Sequence, residues 1–136
     1  MNHKALLIKL YYLLVHADGK VNEHEVALGK QMIHTEGITE SEFIIQLESV
    51  KKRNHVVVQA ECIEELKKLN HEKQVHSIAW LCVIANADGF MDKTEWQFIY
   101  KLYSKELNLT LDEIMKVQKE LIGLKEKPVM GSSIIA

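Results

Sequence analysis

Two short stretches of this chain carry oxygen ligands at a spacing that could take a cation. "HADGKVNEHE" covers residues 16–25 and "NADGFMDKTE" covers residues 86–95. Each sets a glutamate seven residues after the aspartate of an Asp-Gly turn, Asp18 with Glu25 and Asp88 with Glu95. Hard carboxylate oxygens favour calcium, magnesium or manganese over zinc. Asp18, Glu25, Asp88 and Glu95 are therefore the candidate metal ligands, and a divalent cation of that group is the candidate cofactor.

Neither stretch is a complete calcium loop. Against the pattern D-x-[DN]-x-[DN]-G-x5-E, Asn86, Asp88, Gly89, Asp92 and Glu95 fit, but Ile84 stands where the first aspartate belongs. The first stretch fails twice, at Leu14 and at His16. Calcium takes about 6–8 oxygens, and one loop offers about half of them. Only the two loops pooled, as two half-sites of one acidic pocket, would hold an ion. A competing reading needs no ion. Asp-Gly makes a turn because glycine takes positive φ freely. Asn22 and Asp92 then cap the following helices, Glu25 and Glu95 close capping boxes, and Val21 and Met91 staple the helix starts. On that reading the acids only cap helices and the domain is a structural scaffold.

The elements that must position these loops repeat as well. "ALLIKLYYLLVHADG" (5–19) lies over "VHSIAWLCVIANADG" (75–89) without a gap, and "EGITESEF" (36–43) lies over "ELNLTLDEI" (106–114) after one inserted residue. A fixed period of this size argues for a duplicated structural unit. Each unit reads as three helices. The first, about 3–16 and 73–86, is apolar nearly all round, as a helix buried on most sides would be. The second, about 23–36 and 93–106, is amphipathic. The third, about 40–53 and 110–123, starts at Thr39 or Thr110 with an acid three residues on. A linking helix at 58–70 joins the units. The expected fold is all-α, a compact bundle of about seven helices built from two pseudo-twofold-related three-helix repeats, with the two apolar helices adjacent at its centre. The domain spans 1–124 (repeats 3–53 and 73–123), and 125–136 is a C-terminal tail whose Ile134 and Ile135 suit an apolar surface.

Composition agrees and narrows the function. The chain has 136 residues, 47% of them apolar and 26% charged, which suits one globular domain with its own core. It has a single proline and no alternating β-branched runs, and "VVV" at 56–58 is too short to found a sheet. A net charge of −2 gives no electrostatic reason to expect nucleic acid. Lys51, Lys52 and Arg53 close a helix, where cations complement its dipole. Cys62 and Cys82 have no metal spacing and sit in apolar helical contexts. No apolar run approaches the length of a membrane span, no secretory signal is present, and a reducing cytoplasm is the expected compartment.

None of the seven histidines forms an HExxH motif or an i,i+4 histidine pair, although His16 and His24 flank the first loop. GxSxG, GxGxxG and a complete phosphate loop are all absent. The expectation is a protein that is not an enzyme. Tyr11, Tyr12, Trp96 and Phe98 are candidate exposed anchors for a protein partner or for self-association.

"LVHADGKVNEHE" and "VIANADGFMDKTEWQFIYKLYSKELNLTLDEI" resemble the TerB-like family, the helical domain named for bacterial tellurite resistance. A related domain is the N-terminal domain of a membrane-anchored DnaJ-type cochaperone, although no His-Pro-Asp triplet of a J-domain is present. The resemblance covers roughly residues 4–122. It implies a bundle of about seven helices and an intracellular bacterial role in metal or chemical stress, with acidic residues that bind metal. Carried onto this chain, those acids are Asp18, Glu25, Asp88 and Glu95.

Overall fold

A computed structural model describes the chain except Asp18, residues 87–91 and Ala136, with side chains described through residue 123. Among the described residues there are seven α-helices and no strand: α1 (His3–Val15), α2 (Glu23–Thr35), α3 (Glu40–Lys51), α4 (His55–Lys68), α5 (His71–Ala85), α6 (Lys93–Tyr100) and α7 (Leu111–Ile135). Seven helices match the expected all-α bundle. α7 continues through Pro128, so a helix leads into segment 125–136, whose side chains lie outside the described residues.

Local chemistry explains the boundaries. Asn2, Asn22, Asn54, Asn70 and Asp92 each accept backbone N–H groups as N-caps. Thr39 forms a full capping box with Glu42, and Thr110 forms the same reciprocal pair with Glu113 at 2.7 and 3.3 Å. Each cap contributes about 1 kcal/mol. α2 ends where Gly37 takes a φ of 69° and the Ile38 N–H reaches the Ile33 carbonyl at 2.9 Å, an arrangement suited to glycine. At the corresponding end of the second half Asn108 takes φ 54°. There α6 runs on as a π-helical turn, Lys101–Glu106. A π-turn closes i→i−5 bonds instead of i→i−4, fitting one more residue into the turn.

α1 and α5 pack against each other at the centre. Ten residues of each are buried, among them Leu10, Leu14, Ile78, Trp80 and Ile84. Leu14 and Ile84 are fully buried inside these helices. That disposes of a single-loop calcium site, since its first ligand position belongs to the core. Cys62 and Cys82 are buried too, and burial pushes both thiols up to about 12.

The structure corrects two expectations. Tyr11 and Tyr12 are buried, at 5% and 7% exposure, and Trp96 and Phe98 lie half-buried against the core, so none is a free anchor. Covering the apolar helix α1 on all sides required those rings. Val21 is 52% exposed and staples nothing. "VVV" opens α4, with Val58 buried while Val56 and Val57 face outward.

Tyr11 also explains Gly29, which sits mid-helix in α2. A Cβ there would stand 2.4 Å from Tyr11 Cε1. Helix propensity alone would make Gly29→Ala stabilising by about 1 kcal/mol, but the buried ring has nowhere to go. The expected result is a net loss of about 1–3 kcal/mol, read as a lower midpoint in urea. A raised midpoint would show that the ring relaxes.

Candidate functional site

Of the four sequence-selected acids, the structure describes two. Asp18 and Asp88 lie outside the described residues. Glu25 and Glu95 occupy the first turns of α2 and α6 and are buried, at 5% and 3% exposure. Capping-box glutamates elsewhere in the chain behave differently, Glu42 being exposed and Glu113 half-exposed. Carboxylates leave water at a cost unless hydrogen bonds or a cation compensate them. Two such groups at matching positions behind the two loops are thus unusual features of the fold. Asn22 and Asp92 do cap these helices: Asn22 accepts the His24 N–H at 2.7 Å, and Asp92 accepts those of Thr94 and Glu95 at 2.8 and 3.4 Å.

The start of the first loop meets the start of α6. His16 and Ala17 share a cleft of about 280 Å³ with Thr94 and Phe98, closed on the α4 side by His55 and Gln59. His16 stacks on Tyr12 at 4.3 Å, and His55 meets the same ring edge-on at 5.3 Å. At the other end of the bundle, His3 of α1 lies against His76 and Ser77 of α5. The loop after α1 and the first turn of α6 therefore lie at one end. The donor set is all-carboxylate, which fits a hard divalent cation in chemistry. The described half supplies Glu25 and Glu95. Among the described residues, no group of three or more His, Cys, Asp or Glu side chains is arranged to hold a metal.

Sequence reasoning missed a second polar cluster, at the opposite end. The Glu36 carboxylate accepts from His76 Nε2 at 2.8 Å and from Trp80 Nε1 at 2.9 Å, tying the end of α2 to α5. Lys4 donates to the Gly37 carbonyl at 3.1 Å. Ser77 donates its hydroxyl proton to the Lys73 carbonyl at 2.8 Å, so its oxygen accepts from His3 Nε2 at 2.9 Å. Ser77 is fully buried and its proton is committed to the backbone, so this serine–histidine contact is not a nucleophile with its base. No local motif announces the cluster; its partners are separated by 40 residues or more.

Burial tends to raise the Glu36 carboxyl, but the bonds from His76 and Trp80 and the nearby histidine charges hold it below 4.5. Burial lowers His3 below 6.5, with Glu36 opposing and His76 and Lys73 assisting. A histidine depressed in the folded state contributes stability above pH 6.5 that is lost as pH falls through its folded value. A depressed carboxyl contributes stability above pH 4.5 that is lost likewise. Both act in one direction. The melting temperature is expected to fall between pH 7 and 5, and His3→Gln should flatten the upper part of that fall. A profile that rises with acidification would contradict the assignment.

The family model of tellurite resistance protein TerB matches residues 4–118. That span runs from α1 into α7 and takes in both acidic loops. The chain belongs to the TerB family, a tellurite resistance-type helical domain. No curated protein and no solved structure matches it.

Proposed function

We propose that this TerB domain is a non-enzymatic, stress-related protein-interaction module of the bacterial cytoplasm that binds a divalent cation, calcium, magnesium or manganese, at Asp18, Glu25, Asp88 and Glu95. On this reading its two halves are pseudo-twofold repeats that each contribute half of the cation site. The observation that carries the proposal is the burial of Glu25 and Glu95 at matching positions of α2 and α6. The cleft that His16 and Ala17 share with Thr94 supports it, because these two residues directly precede Asp18 in sequence and Thr94 directly precedes Glu95. A cation bound by these carboxylates would couple metal status to partner binding.

Among the described residues no helix is long and apolar enough to cross a membrane, and the charge balance offers nucleic acid no basic face. The alternative, that the acids only cap helices of a scaffold, is favoured by the working caps at Asn22 and Asp92. Calorimetric titration of chelator-treated protein with calcium, magnesium and manganese separates the two. Saturable heat and a raised melting temperature are expected for at least one ion. Flat traces with unchanged melting for all three would leave the scaffold reading standing.

A further inference from the structure

α3 packs against α1 along one face and leaves its other face exposed. Val50 is its one fully buried residue, and Phe43 and Leu47 bridge the main core and a small cluster of Ile8, Ile33 and Ile38. Ile44 and Ile45, near the helix midpoint, are 56% and 63% exposed. A groove flanks them on each side. One, of about 430 Å³ between α2 and α3, is walled by Lys30, His34, Ile38 and Phe43. The other, of about 270 Å³ against the start of α1, is walled by Lys4, Ala5, Ile8 and Gln46. Protruding branched side chains beside hollows that accept such side chains make a surface complementary to itself.

The charges on this face are ordered too. Its exposed residues read Glu40, Ser41 and Glu42 at the start, the two isoleucines at the middle, Glu48 and Ser49 after them, and Lys51 and Lys52 at the end. Arg53, just beyond, is already engaged with Glu61 at 2.5 and 2.8 Å. Lys51 makes only a 3.4 Å surface contact with Glu48. We infer that the outward face of α3 pairs antiparallel with the same face of a second copy of this chain. Only the antiparallel arrangement sets Glu40 of each copy beside Lys51 and Lys52 of the other, with the isoleucines meeting at the axis. A twofold contact of this kind is closed, so it yields a dimer and not a filament. This deepens the interaction-module reading by naming the face and the partner.

α3 is about 18 Å long, and with the groove walls it makes an interface at the small end of the stable range, about 1,200 Å² in total. A micromolar dimer is expected. Sedimentation velocity on the full chain, up to about 0.5 mM, should show a monomer–dimer equilibrium. Ile44→Glu/Ile45→Glu should weaken it about tenfold or more with unchanged helical content and melting temperature, because both sites are exposed. Glu40→Lys and Lys51→Glu/Lys52→Glu should each weaken self-association, and mixing the two variants should restore a dimer through opposite charges.

Wild-type protein that stays monomeric throughout, or a dimer that survives the isoleucine substitutions, overturns the inference. So does a mixture that stays monomeric. None of these positions is a proposed cation ligand, so cation titration of the same variants should be unchanged. Failure here and failure of the cation site are thereby read separately.

Discussion

Trp80→Ala is expected to be the most destabilising single change in the chain. The indole is 1% exposed at the centre of α5, and removing so large a buried ring costs about 3–5 kcal/mol. Its Nε1 also donates to Glu36 at 2.9 Å, so the truncation weakens the tie between α2 and α5. For a domain of this size the melting temperature should fall by about 10 °C or more. Trp80→Phe keeps most of the ring and loses only the donor, for about 1–2 kcal/mol. That smaller variant should also let the Glu36 carboxyl rise towards its ordinary value and shift acid unfolding to higher pH. Urea denaturation at pH 7, repeated at a pH below 4.5, measures both effects. Equal losses from the two substitutions would mean that packing around the indole counts for nothing beyond its hydrogen bond.

The second large effect is on the proposed ligand and not on the fold. Glu25→Gln/Glu95→Gln preserves shape while removing two negative charges from buried positions. Divalent cation affinity should fall about hundredfold or more, equivalent to about 2.7 kcal/mol. The melting curve of the ion-free variant reads any effect on the fold separately from the effect on cation binding. The capping reading makes a different prediction. Glutamine closes a capping box as glutamate does, so the variant would then be indistinguishable from wild type in cation titrations. Calorimetry paired with melting curves of both proteins decides between the two.

The architecture was legible in the sequence because helix signals are local. Two apolar helices, four capping residues and a 70-residue offset needed nothing beyond near neighbours, and the structure places α1 and α5 at the centre with caps at Asn22, Thr39 and Asp92. Exposure was less legible. Tyr11 and Tyr12 stood as candidate anchors by their aromatic type, although the apolar run of α1 already pointed to a helix buried on most sides, and both are buried.

The candidate site was half legible. The acids announce themselves by type and spacing, but the burial of Glu25 and Glu95 depends on how α2 and α6 lie on the core, which no local pattern encodes. The cluster of His3, Glu36, His76, Ser77 and Trp80 was invisible for a related reason. Each residue looks ordinary alone, and only the packing of α1, α2 and α5 brings them together.

The measurement that tests the twin-loop site most directly is the cation stoichiometry of wild type, Asp18→Asn, Asp88→Asn and the double variant, by calorimetry on chelator-treated protein. A shared site predicts one ion per wild-type chain, loss of that site in either single variant, and no further loss in the double, the non-additivity of groups that act as a unit. Two ions per chain with one lost in each single variant, or binding that survives in the double variant, would contradict it.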